Sequence, residues 1–478
     1  MTAAQMLTLS VGPMSHGGHC VARHEGRVVF VRHAIPGETV RAVVTDGEST
    51  SRFWRADVVD VIEAADHRRR HPWKQADALR AYDQGQAPVG GADYGHITNA
   101  HQRRLKAHVF RDTMQRIAGI DVSALDISGV GPEGEPLVQQ LPGADASGMH
   151  WRTRVRFGIA DGSLAMQPNR SHDLIPLRSM PLAVESVTSS GIFSWDFTGA
   201  KSVDVVAPGG EGPVTLIVRA EGTADAGQRS RLRQRLTDCA ASAAKIGNII
   251  MATASGAGQR RGRRHNQLQP SSLDYEVLTG ERMIQESLPA PVAGRQNVVL
   301  PPECFWQIHR SAPGALVRLV DSMAALAPGG SAIDLYAGAG LFTAWAAARA
   351  GSAGQVLSVE AAAGTSAAAK QLFSGVAGVE VVNAPAEKVA SRLKSSDVVV
   401  LDPPRAGAAK SVLKGIDGAG PRRIIYVSCD PASFARDAKA LNELGWGIKD
   451  LVLVDLYPNT HHMESVTLFE RRRSPGTR

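Results

Sequence analysis

Cys429 follows Ile424-Ile425-Tyr426-Val427-Ser428, an apolar, β-branched run that reads as a buried strand, and Asp430-Pro431 then turn the chain. In an open parallel sheet, ligands and catalytic groups gather where the strands end, so a thiol delivered there can act as a nucleophile. A free cysteine is also a good small packing residue, and its neighbours must decide between the two readings. Glu464 lies further on, in "YPNTHHMESVTLFER", two and three residues after His462 and His461. No further ligands at zinc spacing accompany these histidines, so a metal site is not expected.

A second group of residues has the spacing of a nucleoside site. Asp334 lies on the strand "IDLY", and Gly338 and Gly340 follow it, where a tight turn brings the backbone close to a ligand at a helix N-terminus. Thr343 stands where a dinucleotide fingerprint would place its third glycine. Glu360 ends the next strand, twenty positions beyond Gly340, where a carboxylate can bind both ribose hydroxyls. Adenosine without a pyrophosphate fits this pattern better than NAD does, and S-adenosylmethionine is such a ligand. A later strand ends "VVVLDPPRAG", and its two prolines form a rigid wall with Asp402 projected from the strand tip.

Strands and helices alternate after Ser311: "SAIDLY", "QVLSVE", "VEVVNA", "DVVVLDPP", "RRIIYVSC" and "LVLVDLYP" are separated by Ala-rich helical segments. This predicts a doubly wound, Rossmann-like α/β domain over 298–478. Residues 1–64 hold short strands with Gly and Pro corners, as in "GRVVFVRHAIPGETVRAVV", which predicts a small OB-type β-barrel. Residues 65–297 open with a helix over Asn99 to Gly119 and continue β-rich, which predicts a central α+β domain.

The 478-residue chain carries 53 Lys and Arg against 46 Asp and Glu, a net +7. Dense basic clusters lie at 67–71, 229–235, 260–265 and 471–473, mostly in the first 270 residues, and suggest a nucleic-acid partner for that part. The Gly/Arg-rich stretch around 260–265 reads as a mobile basic loop. The four cysteines form no C-x-x-C pair, so neither a disulfide framework nor a zinc site is expected. No apolar run reaches the ~18 residues of a membrane span, and the start lacks a signal-peptide pattern, which predicts a cytoplasmic protein.

In order and spacing, "CFWQIH" (304–309), "DLYAGAG", "DPPRAG", "YVSCDPASFARD" and "YPNTHHMESVTLFER" resemble the motifs of the RNA uracil-5 methyltransferases. Members of that family form 5-methyluridine in transfer or ribosomal RNA with S-adenosylmethionine. The resemblance spans nearly the whole chain, and the N-terminal barrel resembles a TRAM domain, an RNA-binding module. It implies that Gln307, Tyr336, Glu360 and Asp402 contact S-adenosylmethionine, that Cys429 is the nucleophile and Glu464 the base, and that rRNA or tRNA is the partner of a monomeric enzyme. His462 matches the family's histidine and is expected to orient the base or Glu464. Several members carry a four-cysteine iron–sulfur cluster, but "RRRHPWKQADALRAYDQGQAPVGGADYGHI" has no cysteine, so no cluster is expected. Asn459, His309 and Ala337 stand where the family commonly has His, Asn and Cys.

Two other readings compete. Asp-Pro-Pro loops also serve methylation of exocyclic amines, which needs no cysteine, and a related enzyme could act on cytosine carbon 5. A non-catalytic RNA-binding or chaperone protein could keep the same fold.

Overall fold

The computed structural model describes residues 5–48, 50–127, 138–210, 212–254 and 273–472. The basic cluster at 260–265, its expected mobile loop and Arg473 lie outside them. The chain divides into two compact units: Met1–Gly148 with Ser287–Val298 and Phe305–Arg478, and Met149–Glu286 with Val299–Cys304.

The first unit begins with six strands, β1 (Met6–Ser10), β2 (Met14–Ser15), β3 (His19–His24), β4 (Arg27–Arg32), β5 (Thr39–Asp46) and β6 (Phe53–Glu63), in the order β1-β5-β6-β4-β3-β2. Apolar residues alternate along them, and Leu7, Leu9, Cys20, Val29, Val31, Val40, Ala42, Ala56 and Val58 fill the interior. The helix Asn99–Thr113 follows, continues through a wider turn over Met114–Ala118 and stops at Gly119, whose φ of 68° is the left-handed stop its sequence position suggested.

The basic cluster at 67–71 is partly drawn into the interior: His71 is buried and Arg68 and Arg69 half-buried, whereas Arg70 is exposed. Arg68 is paired in fork geometry with the buried Glu38, at 2.6 and 2.7 Å. Arg69 donates to Asn459 Oδ1 at 2.6 Å, and His71 is buried, its Nδ1 accepting from the Trp73 amide. Carboxylate and carbonyl partners close at hand make burial of these cations tolerable.

After the short strand β7 (Val138–Gln140) comes the second unit. Its strands are β8 (Arg154–Ala160), β9 (Ser163–Met166), β10 (Ile175–Pro176), β11 (Ala200–Val206), β12 (Val214–Ala220), β13 (Ile246–Ala254) and β14 (Leu273–Thr279), ordered β10-β9-β8-β11-β12-β13-β14. The helix Ala226–Ser242 starts at a reciprocal cap between Asp225 and Gln228. This helix and sheet form the α+β arrangement.

A two-stranded element, β15 (Ile284–Val292) and β16 (Arg295–Leu300), precedes the last sheet. That sheet is built from β17 (Ser331–Leu335), β18 (Gln355–Glu360), β19 (Val379–Asn383), β20 (Val398–Leu401), β21 (Arg423–Ser428), β22 (Trp446–Asp455) and β23 (Glu464–Arg471). The order is β19-β18-β17-β20-β21-β23-β22-β7. It reverses between β17 and β20, which opens a crevice at the carboxyl ends of those strands. β23 is antiparallel to both β21 and β22 and is inserted between them. It therefore starts at the edge where the parallel strands end.

Candidate active site

Each sequence-predicted site residue except Gln307 lies at or just beyond a strand end on this edge. β17 leads into Tyr336, held at φ 63°, and then Gly338 and Gly340 at 57° and 96°. A Cβ on Gly340 would meet Phe373 at 2.6 Å, whereas the space beside Gly338 is open. Glu360 braces this turn: its two carboxylate oxygens accept from the Gly338 and Ala362 amides at 2.8 and 2.6 Å. Asp334 is buried, with one oxygen accepting from Thr343 Oγ1 at 2.6 Å and the other without a hydrogen-bond partner. Gln307 Nε2 lies 3.4 Å from Asp402 Oδ2, which brings those two residues together.

Cys429 and Glu464 meet through strand register. Ser428 of β21 faces Ser465 of β23, so the next residue outward on each strand is Cys429 and Glu464. Cys429 is half-buried and Glu464 buried. Burial, together with Glu464 and Asp402, pushes the Cys429 thiol up to about 12, against the pull of Arg405. Burial and then Asp402 hold the Glu464 carboxyl well above its ordinary range. Burial raises Asp402, and likewise Asp334, to about 7. The edge is thus a set of desolvated acids, and Asp402 makes both Asp334 and Glu464 costlier to ionise.

Beside Cys429 lies a cavity of about 150 Å³ lined by Arg405, Asp430, His461, His462, Tyr94 and Lys106, among others. That volume is of the order that admits one six-membered ring. Its remaining wall comes from the N-terminal sheet: Ser15, His16, Gly17 and Gly18 line it too. His16 Nε2 sits 3.4 Å from Asp430 Oδ2. Burial would raise Asp430, yet His16 and the Ser433 amide hold its carboxyl down to about 2.

Comparison with known proteins agrees with this layout. Residues 303–472 match the family model described as tRNA (Uracil-5-)-methyltransferase, and residues 4–59 match that of the TRAM domain. An uncharacterized RNA methyltransferase of Streptomyces avermitilis is 33% identical, over 97% of each chain. The chain belongs to the RNA (uracil-5-)-methyltransferase family. The 23S rRNA (uracil(1939)-C(5))-methyltransferase RlmD of Shewanella sp. is 27% identical over 97% of this chain and 95% of its own. The fold is shared with the tRNA (uracil-54, C5)-methyltransferase of Pyrococcus abyssi, solved with S-adenosyl-L-homocysteine, at a TM-score of 0.64 and 18% identity, covering 97% of this chain and all of that one. This methyltransferase uses S-adenosylmethionine as its cofactor, and the crevice suits it. The open turn at Gly338 leaves room for a ligand, and a cation beside Asp402 and Glu464 would favour the ionised form that burial disfavours in both.

Supports that sequence reasoning missed hold the methyltransferase site in place. Asp437 Oδ2 accepts from Tyr426 Oη at 2.6 Å and from the Ala408 amide at 2.7 Å, fixing the far end of the Asp-Pro-Pro loop. Lys106 is fully buried against Asp455 at 2.6 Å and donates to the Tyr457 carbonyl at 3.1 Å. Asn459, at φ 65°, accepts from Arg69 and Gln102 and donates to the Ser147 and Gly148 carbonyls, anchoring the segment between β22 and β23. His461 Nδ1 pairs with Asp93 at 2.7 Å, and burial with His461 beside it pushes His462 down to about 3, so its ring is neutral. Apart from Tyr426 and Asp437, the two ends of the "YVSCDPASFARD" stretch, these partners lie far from their mates in sequence, and the Gly17-Gly18 doublet signals a turn without revealing where it docks. Among the described residues no group of His, Cys, Asp and Glu is placed to hold a metal, and no helix is long and apolar enough to cross a membrane.

Proposed function

We propose that this enzyme methylates carbon 5 of a uridine in ribosomal or transfer RNA, with Cys429 as nucleophile and Glu464 as base. The observation that carries the reading is the register of β21 and β23, which puts Cys429, a residue lining a ring-sized cavity, next to the buried carboxyl of Glu464. Carbon 5 of uracil is too weak a nucleophile to be methylated directly. Cys429 loses its proton to water and its thiolate forms a bond to carbon 6, which sends an electron pair through carbon 5 to the carbon-4 oxygen and makes carbon 5 nucleophilic. S-adenosylmethionine supplies the electrophilic methyl group on a positively charged sulfur. Glu464 in its ionised form, which its raised carboxyl makes a strong proton acceptor, then takes the carbon-5 proton, the carbon 5–carbon 6 double bond returns and the carbon–sulfur bond to Cys429 breaks. The net change is uridine to 5-methyluridine, a neutral thioether and one proton released.

Gln307, Tyr336, Glu360 and Asp402 hold the cofactor in this reading. Each Glu360 oxygen keeps a lone pair for a ribose hydroxyl beyond its backbone bond. The target base must leave its stack to reach the cavity. The test uses RNA carrying 5-fluorouridine at the target: fluorine cannot leave as a proton, so a covalent protein–RNA adduct accumulates, and Cys429→Ala abolishes it. Methylation of ordinary RNA by Cys429→Ala would overturn the thiol mechanism and favour amine methylation.

A further inference from the structure

The outward face of the barrel carries a row of rings that begins at the cavity. Gly18 lines the cavity and the next residue, His19, opens β3. The His19 ring meets Phe30 edge-on at 6.1 Å between centroids, and Phe30 meets Phe53 in the same way at 5.5 Å. The Arg55 guanidinium lies 4.8 Å over the Phe53 ring, its other partner being Asp46 at 2.6 Å.

Register explains the row. Val21 faces Phe30, which faces Arg55, and Arg23 faces Val28, which faces Phe53. The residues between them, Cys20, Ala22, Val29, Val31, Trp54 and Ala56, point into the core. Phe53 is 40% exposed, whereas Phe30 and His19 are half-buried.

We propose that His19, Phe30 and Phe53 form a stacking platform for unpaired nucleotides that flank the target uridine, with Arg23 and Arg55 beside it for their phosphates. This rests on the RNA reading above. Three observations favour RNA as the occupant. The row starts one residue from the cavity wall, its outer ring, Phe53, is 40% exposed, and guanidinium groups border it as a phosphate backbone requires. Stacking is tolerant of sequence, because every base presents a π-face.

The test compares two short single-stranded probes of equal length and charge, an oligouridylate and the same ribose-phosphate chain without bases, bound by the full-length protein with S-adenosylhomocysteine present. Wild-type protein is expected to bind the oligouridylate about tenfold more tightly. Phe53→Ala removes most of that preference without changing the dependence of affinity on salt, Phe53→Trp restores it, and Arg55→Ala makes the salt dependence shallower. Equal affinity of wild-type protein for both probes would overturn the platform while leaving RNA binding intact, and would point to a protein partner on this face. Binding of neither probe would overturn the RNA reading itself. An unchanged preference in Phe53→Ala would also remove the platform.

Discussion

Ser428 faces Ser465 across antiparallel β21 and β23, and this single pairing brings Cys429 and Glu464 to the same edge of the sheet. A one-residue slip of β23 would turn Glu464 to the opposite face of the sheet and away from Cys429.

Separate roles for the two residues make the first prediction. Glu464→Gln keeps the shape of the site and removes the base, so it should still add to unmodified target RNA and methylate it, yet release it roughly 10²- to 10⁴-fold more slowly. A covalent adduct should build up on ordinary uridine, visible as a protein–RNA band that resists denaturation. Free release of 5-methyluridine at the wild-type rate would remove Glu464 from the reaction.

The thiol should be difficult to ionise before substrate binds. With Cys429 pushed up to about 12, its thiolate fraction rises about tenfold per pH unit between pH 7 and 10, with no plateau. Alkylation of the Cys429 peptide, followed by mass spectrometry, should rise in step. A plateau near pH 9 would show an ordinary thiol.

Cofactor affinity should depend on pH through the acids at the crevice. Asp402 is raised to about 7 in the free protein, and a positively charged ligand beside it favours the ionised form. Binding of S-adenosylmethionine therefore expels a proton at low pH, so its affinity should fall as pH drops from 7.5 to 5.5 and level off only above about 8. S-adenosylhomocysteine lacks the positive sulfur and should respond less. Parallel profiles for the two ligands in calorimetry would contradict the assignment, and Asp402→Asn should flatten the profile for the charged one.

The barrel should prove to be part of the reaction chamber and not a detachable RNA grip. Gly18 sits at φ 77°, and a Cβ there would lie 2.8 Å from both Asp93 Oδ2 and His461 Cβ. Gly18→Ala should slow adduct formation on saturating RNA by about tenfold or more and leave cofactor affinity within about twofold. Gly26→Ala is the control: its φ of 81° carries similar backbone strain, but nothing lies within 4 Å of the added carbon. Equal loss in both variants would mean that strain alone is responsible.

The alternation of apolar strands and Ala-rich helices determined the Rossmann-like domain, because strands covered on both faces must be apolar throughout, as Val398–Leu401 are. Gly338, Gly340, Glu360 and Asp402 were legible for a related reason, since strand ends in such a sheet converge on one crevice. Cys429 was legible as a residue at a strand exit, although sequence alone left it between packing and chemistry. The placement of Glu464 beside it depended on β23 running antiparallel between β21 and β22, a long-range pairing without a local signal. Likewise, His67 to His71 looks like a basic surface in sequence, and only the fold supplied Glu38 and Asn459 as buried partners. The cavity wall from Ser15 to Gly18 lies some 400 residues from Cys429 in the chain. Local periodicity is set by neighbours three or four residues apart, whereas an enclosed site is set by whichever distant surfaces exclude water together.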